Sequence, residues 1–185
     1  MQGRFIVVTG PSAAGKSALV AELLRRIPHS ARLVTLTTRL PRPGEKDGFD
    51  YYFVSRAQFE ERLRQNELFE QAEVYGNLYG SSKRVLVDFL KRYPFVFAVI
   101  DVKGARILKE KLPESTVIFL RPGSLQDIER RLKEERMGVP EEEMARRLQT
   151  AAGEMALAET FDIVVENVDG RFDETVSGVL KLLGL

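Results

Sequence analysis

The stretch VTGPSAAGKSAL, residues 8–19, places a run of small residues between a short apolar segment and a helix-like segment. Glycine reaches backbone angles that other residues avoid, and small neighbours let a ligand approach the main chain. The spacing Gly10-x-x-x-x-Gly15-Lys16-Ser17 after the apolar residues 5–8 predicts a strand, an anion-binding loop and a helix start in that order. The alternative is a small-residue turn before a helix, but the strand–loop–helix context favours a nucleoside triphosphate site.

The residue types in this loop assign a role to each part of it. Main-chain N–H groups would point at the phosphates, and the helix N-terminus adds partial positive charge. Lys16 would reach the outer phosphates, and the hydroxyl of Ser17 would ligate Mg²⁺. The predicted triphosphate site comprises Gly10, Pro11, Ser12, Ala13, Ala14, Gly15, Lys16, Ser17 and Ala18.

Composition excludes several classes of site and partner. The 185 residues are 44% hydrophobic and 30% charged, which is typical of one globular domain. The net charge of +1 predicts no nucleic-acid partner, so that any anion site is local. With no cysteine and one histidine, thiolate and histidine-cluster metal sites are excluded. No charged leader or long apolar run is found, so we expect a soluble cytoplasmic protein without a membrane partner, and either a monomer or a homodimer.

Strand-like and helical patterns alternate along the chain. Segments such as 95–101 and 115–122 are apolar on both faces, which predicts an α/β fold with a parallel sheet covered by helices on both faces. Residues 32–38 are predicted to form one further strand, and residues 68–82 a hairpin. The antiparallel character of 35–82 interrupts the series and predicts an inserted lobe.

The segment TTRLPRPGEKDGFDYYFVS, residues 37–55, concentrates groups that bind phosphate. Arg39 and Arg42 lie in a loop stiffened by prolines, and Tyr51 follows. Two guanidinium groups and a phenol can hold a phosphate through charge-assisted hydrogen bonds. The alternative is a solvated basic turn, since acidic residues such as Glu45 lie nearby.

Four segments resemble, in order and spacing, those of the guanylate kinase family: GPSAAGKS, TTRLPRPGEKDGFDYYFVS, EQAEVYGNLYGSS and IDVKGA. The resemblance runs from residue 5 to about residue 180, and the middle two segments are the most specific. It implies transfer of the γ-phosphoryl group of ATP to GMP, with Mg²⁺ as cofactor. It also implies an ATP-binding P-loop core (1–34, 83–124 and 160–185), an inserted small mixed α+β GMP-binding lobe (35–82) and a helical lid (about 125–159).

The resemblance also implies the contacts with GMP. Its phosphate would lie among Arg39, Arg42, Tyr51 and Tyr79. Its guanine would lie against Thr35, Glu70 and Ser81, and Asp101 is assigned to the same site. A carboxylate at Glu70 suits the donor edge of guanine, whereas the alternative is a solvated strand residue. Asp101 ends the most apolar strand, where ligand-facing groups are common, although it could instead cap the following helix.

Arginines of the family's lid neutralise charge on the transferring phosphoryl group. The matching positions are Arg136 and Arg147, which with Lys16 form the expected catalytic set, and Arg131 is an alternative candidate. The segment RRLKEERMG is one residue longer than the family pattern. The alternative is a helix with i,i+4 ion pairs such as Glu143–Arg147.

Two other functions fit parts of the pattern. A non-catalytic guanylate-kinase-like module would bind phosphorylated peptides, but such modules often lack an intact phosphate loop, and this chain keeps Lys16 and Ser17. A kinase for another small phosphate would not need the guanine-facing set. The chain departs from the family pattern at Val99 and Lys103, where an acidic residue and a glutamine are usual, and this affects how Mg²⁺ or water is shared near Asp101.

Overall fold

Strands and helices alternate along most of the chain, as the hydrophobic pattern predicts. The computed structural model describes residues 3–135 and 140–185. In these residues the strands are β1 (Arg4–Thr9), β2 (Ser30–Arg32), β3 (Leu36–Thr37), β4 (Tyr52–Phe53), β5 (Leu68–Val74), β6 (Asn77–Ser82), β7 (Phe95–Val99), β8 (Thr116–Pro122) and β9 (Ile163–Asn167). The helices are α1 (Lys16–Arg26), α2 (Arg56–Arg64), α3 (Lys83–Arg92), α4 (Val102–Lys111), α5 (Leu125–Glu135), α6 (Glu141–Met155) and α7 (Phe172–Leu183), with a short 3-10 helix at Ala158–Thr160.

The strands form two sheets. A five-stranded sheet has the order β2-β7-β1-β8-β9, and its pairs β2–β7 and β8–β9 are parallel. A four-stranded sheet has the order β4-β3-β6-β5 and is mixed, because β3–β4 is parallel whereas β3–β6 and β5–β6 are antiparallel. The predicted α/β fold with a mixed second sheet is confirmed.

The prediction of one strand over 32–38 is wrong. Ser30–Arg32 pairs with residues 95–97 of β7, whereas Leu36–Thr37 pairs with residues 79–80 of β6 in the other sheet. Alternating hydrophobicity reports which side chains are buried but not which strand is the partner. A continuous pattern therefore concealed a change of sheet.

The internal contacts divide the chain into two compact units. The first unit comprises the residues up to Val7 and Ile27–Thr116, and it includes the segment 35–82. In it, Glu70 on β5 is paired in register with Ser81 on β6. A core of Leu36, Phe59 and Leu68 supports this hairpin.

The second unit comprises Val8–Arg26 and Val117–Leu185, and it includes the described part of the segment 125–159. Helices α5 and α6 pack together through a buried apolar cluster, and Ala13, in the loop before α1, packs against the same cluster. The cluster consists of Ile128, Leu132, Met144 and Ala151. In the part of the chain that the structure describes, no helix combines the length and apolarity that crossing a membrane requires.

Candidate functional sites

The loop between β1 and α1 has a backbone that only small residues allow. Gly10 and Gly15 have φ of 138° and 91°. A Cβ on Gly10 would lie 2.4 Å from the carbonyl oxygen of Leu120, and one on Gly15 would lie 2.6 Å from Nδ2 of Asn167. Ala13 has φ of 60°, a left-handed conformation that costs a non-glycine residue roughly 1–2 kcal/mol. Conformation and space therefore both require glycine at 10 and 15.

Lys16 lies across this loop. Its Nζ donates hydrogen bonds to the carbonyl oxygens of Gly10, at 2.8 Å, and Pro11, at 2.7 Å. Lys16 is also the first residue of α1, and the exposed Ser17 follows in the first turn. The predicted triphosphate residues 10–18 thus form one loop and the start of one helix, where an ammonium group, a hydroxyl and helix N–H groups are close in sequence.

Asn167, which the sequence analysis did not assign, and Arg131, which it named only as an alternative lid arginine, hold the loop in place. Nδ2 of the buried Asn167 donates to the carbonyl oxygen of Ala14 at 2.8 Å. Nη1 of Arg131 donates to the carbonyl oxygen of Ala13 at 3.0 Å, and its Nη2 donates to that of Asn167 at 3.2 Å. Nε of Arg131 also donates to Oδ1 of Asp169 at 3.1 Å. Arg131 therefore fixes the backbone of the loop.

The first unit contains a buried carboxyl group at the place predicted for guanine. Glu70 is 2% exposed, and Oγ of the buried Ser81 donates to its Oε1 at 2.6 Å. Its Oε2 accepts no hydrogen bond from the residues that the structure describes. Burial raises the pKa of Glu70 to about 7; the hydrogen bond from Ser81 and the charge of Lys111 oppose the shift, and the charge of Asp101 adds to it. The alternative of a solvated strand residue is wrong for Glu70.

Asp101 and Thr35 also belong to the first unit. Asp101 is the N-cap of α4, because its Oδ1 accepts from the N–H of Gly104 at 3.0 Å. The capping role considered for Asp101 is thus confirmed, and it occupies one carboxylate oxygen. Thr35 is buried just before β3, and its carbonyl oxygen accepts from the N–H of Tyr52 at 2.9 Å.

The predicted phosphate-binding residues surround Arg39. Its guanidinium carbon lies 5.5 Å from the ring centroid of Tyr51, and the rings of Tyr51 and Tyr79 meet edge to face at 5.9 Å. Nη2 of Arg39 pairs with Oε1 of Glu45 at 2.8 Å. Burial is the largest single effect and lowers the pKa of Arg39, but the hydrogen bond and charge of Glu45 together with Tyr79 outweigh it, so the pKa is raised. The backbone N–H of Arg42 donates to Oε2 of Glu45 at 2.7 Å, and the Arg42 side chain is exposed.

The predicted lid arginines have different surroundings. Arg136 lies outside the described residues. Arg147 on α6 is 8% exposed, and its Nε donates to Oε1 of Glu143 at 2.9 Å, so the i,i+4 pair considered as the alternative is present. The residues expected to bind GMP thus all lie in the first unit, and the residues expected to bind ATP lie in the second with Arg131 and Arg147.

Comparisons with known proteins identify the family of the chain. The model of the guanylate kinase family matches residues 2–184. The guanylate kinase of Rubrobacter xylanophilus is 44% identical over 91% of this chain and 87% of its own length, and that of Trichormus variabilis is 42% identical over 90% and 83%. The crystal structure of guanylate kinase from Anaplasma phagocytophilum aligns with a TM-score of 0.80 at 31% identity, over 99% of this chain and 85% of that one. The chain therefore belongs to the guanylate kinase family, the ATP-dependent phosphotransferases that convert GMP to GDP.

Proposed function

We propose that Glu70 reads the guanine base of GMP in this chain, with Ser81, Thr35 and Asp101 beside it. Guanine presents N1–H and N2–H₂ as neighbouring donors, and an ionised carboxylate has only acceptors. The observation that carries the proposal is the buried Glu70 carboxyl, which Ser81 holds through Oε1 while Oε2 accepts no hydrogen bond from the described residues. Guanine would supply the missing donors.

We assign the phosphate of GMP to Arg39, Arg42, Tyr51 and Tyr79. The guanidinium of Arg39 is oriented by the ring of Tyr51 and by Glu45, so little side-chain entropy is lost when it binds an anion. The exposed side chain of Arg42 supplies a second cation from the same loop. This arrangement suits a dianionic phosphate because guanidinium groups form bidentate charge-assisted bonds.

We assign ATP and Mg²⁺ to residues 10–18. No group of three or more His, Asp or Glu side chains in the described residues could hold a metal alone, which fits Mg²⁺ that is ligated mainly by the phosphates of ATP and by water. The exposed hydroxyl of Ser17 is the protein ligand available at the start of α1. Bound there, Mg²⁺ would neutralise charge on the β- and γ-phosphates.

The reaction needs alignment and charge neutralisation rather than a general base. An oxygen of the GMP phosphate, already ionised, forms a bond to the γ-phosphorus of ATP, and the bond from that phosphorus to the β–γ bridging oxygen breaks, giving GDP and ADP. Lys16 neutralises the developing charge on the outer phosphates, and Arg136 and Arg147 are the proposed lid cations. We propose that the segment 35–82 carries GMP and that the segment of about 125–159 acts as the lid.

A comparison of acceptors with two matched variants tests the assignment of Glu70. Glu70→Gln removes one acceptor, whereas Glu73→Gln makes the same change at an exposed position of β5. We expect kcat/KM for GMP to fall by roughly 10²-fold or more in Glu70→Gln, because a buried donor–acceptor match is lost. Glu73→Gln should retain wild-type values, and neither change should alter the KM for ATP. A full preference for GMP over AMP in Glu70→Gln would show that the guanine is read elsewhere.

A further inference from the structure

Gly104 lies beside the two carboxyl groups of the guanine site. It is the third residue of α4, and its N–H donates to Oδ1 of Asp101. A Cβ on Gly104 would lie 2.9 Å from Oε2 of Glu70 and 3.2 Å from Oδ2 of Asp101. It would also lie 2.8 Å from Cγ2 of Ile100. Hence any other residue at 104 would press on both carboxylates.

The backbone of Gly104 does not explain the glycine. The residue is helical, and its φ is not positive. In a helix interior, glycine is less favourable than alanine by about 0.5–1 kcal/mol. Glycine at 104 therefore weakens α4, so the reason for a glycine here is the space that the absent side chain leaves.

We propose that Gly104 is a positioning residue for guanine recognition: its missing Cβ leaves room for the carboxylate of Glu70 to stand where it meets the base. The inference rests on the proposed role of Glu70. It requires that Glu70 cannot move aside, and the contacts support this. The side chain is 2% exposed and is held by Ser81 at 2.6 Å, so a Cβ at 104 would displace Oε2 or break that hydrogen bond.

Gly104→Ala tests the proposal, with Gly178→Ala as its matched control. Gly178 is a helical glycine of α7, and a Cβ there would meet nothing within 4 Å. We expect Gly104→Ala to raise KM for GMP by roughly tenfold to a hundredfold, the effect of disturbing a charged hydrogen bond. At saturating GMP its kcat should change by less than about threefold, and the Kd of a non-hydrolysable ATP analogue should be unchanged. The proposal would be overturned if Gly104→Ala, shown by its Tm to be folded, had the same KM for GMP as Gly178→Ala.

A double-mutant cycle separates this role from a general effect on packing. In a Glu70→Ala background the Asp101 carboxylate still lies beside position 104 but the Glu70 carboxylate is gone. If Gly104 acts through Glu70, Gly104→Ala should then weaken GMP binding by less than about twofold in calorimetry. An undiminished effect there would mean that Gly104 acts through Asp101, Ile100 or the helix, and would overturn the inference. If Glu70→Ala itself leaves GMP binding unchanged, the proposed reader of guanine is wrong. If Glu70→Ala weakens binding but Gly104→Ala does not, the inference about Gly104 alone fails.

Discussion

Replacing Glu70 with glutamine should stabilise the protein, increasingly so as the pH rises. Burial raises the pKa of Glu70 from its ordinary value of 4.5 to about 7. This rise in the pKa corresponds to about 3 kcal/mol of unfolding free energy. Because the pKa is higher in the folded state, the wild-type chain has this stability in full below pH 4.5 and loses it as the pH rises through about 7. Glutamine stays neutral throughout, and its amide oxygen can still accept from Ser81.

The groups facing Glu70 leave the direction of this effect unchanged. Asp101 raises the pKa of Glu70 further, whereas the charge of Lys111 and the hydrogen bond from Ser81 lower it, and burial outweighs both. Urea unfolding of wild type, Glu70→Gln and the control Glu73→Gln at about pH 5 to 8 measures the difference. The advantage of Glu70→Gln should grow by up to about 3 kcal/mol over this range, while Glu73→Gln shows no such trend. A difference that stays constant with pH would refute the reasoning, since it would mean that Glu70 titrates alike in both states.

Two further predictions concern the triphosphate loop. Lys16→Ala should lower kcat by a factor of about 10²–10³, the effect of removing one charge-stabilising donor, with little change in Tm. Full turnover of this variant in a steady-state assay would contradict the role of Lys16. Arg131→Ala should raise KM for ATP by roughly tenfold because the carbonyl oxygen of Ala13 loses its donor. The control Arg130→Ala, a change at the more exposed neighbour, should leave KM for ATP unchanged. Equal KM values for the two variants would exclude a role for Arg131 in holding the loop.

The parts of the fold that could be predicted are those whose residues lie close together in the sequence. The apolar run, the glycines and Lys16 lie within a few residues of one another, so the loop and the start of α1 could be placed closely. The hairpin that pairs Glu70 with Ser81 is also local, since eleven positions separate them. The change of sheet between Arg32 and Leu36 could not be predicted, because their partner strands lie far along the chain.

The support of the loop by Asn167 and Arg131 was missed for a similar reason, although Arg131 was an alternative candidate for the lid. Asn167 reaches Ala14 across 153 positions, and Arg131 reaches Ala13 across 118. No spacing rule connects such distant residues. One signal was present, because Asn167 ends an apolar strand as Asp101 nearly does, and polar residues at the carboxyl ends of parallel strands often serve a site.

The ion pair between Arg39 and Glu45 has a consequence for the proposed phosphate site. Both side chains are largely shielded from water, and the guanidinium is already neutralised by a carboxylate of this chain. If GMP binds here as we propose, its phosphate must share Arg39 with Glu45, so it gains less from this guanidinium than from an unpaired one. Free orthophosphate could make only the contacts of the phosphate-binding loop, whereas a nucleotide would add the binding energy of its base. We therefore expect the Arg39–Glu45 pair to make this loop favour a nucleotide over small free anions.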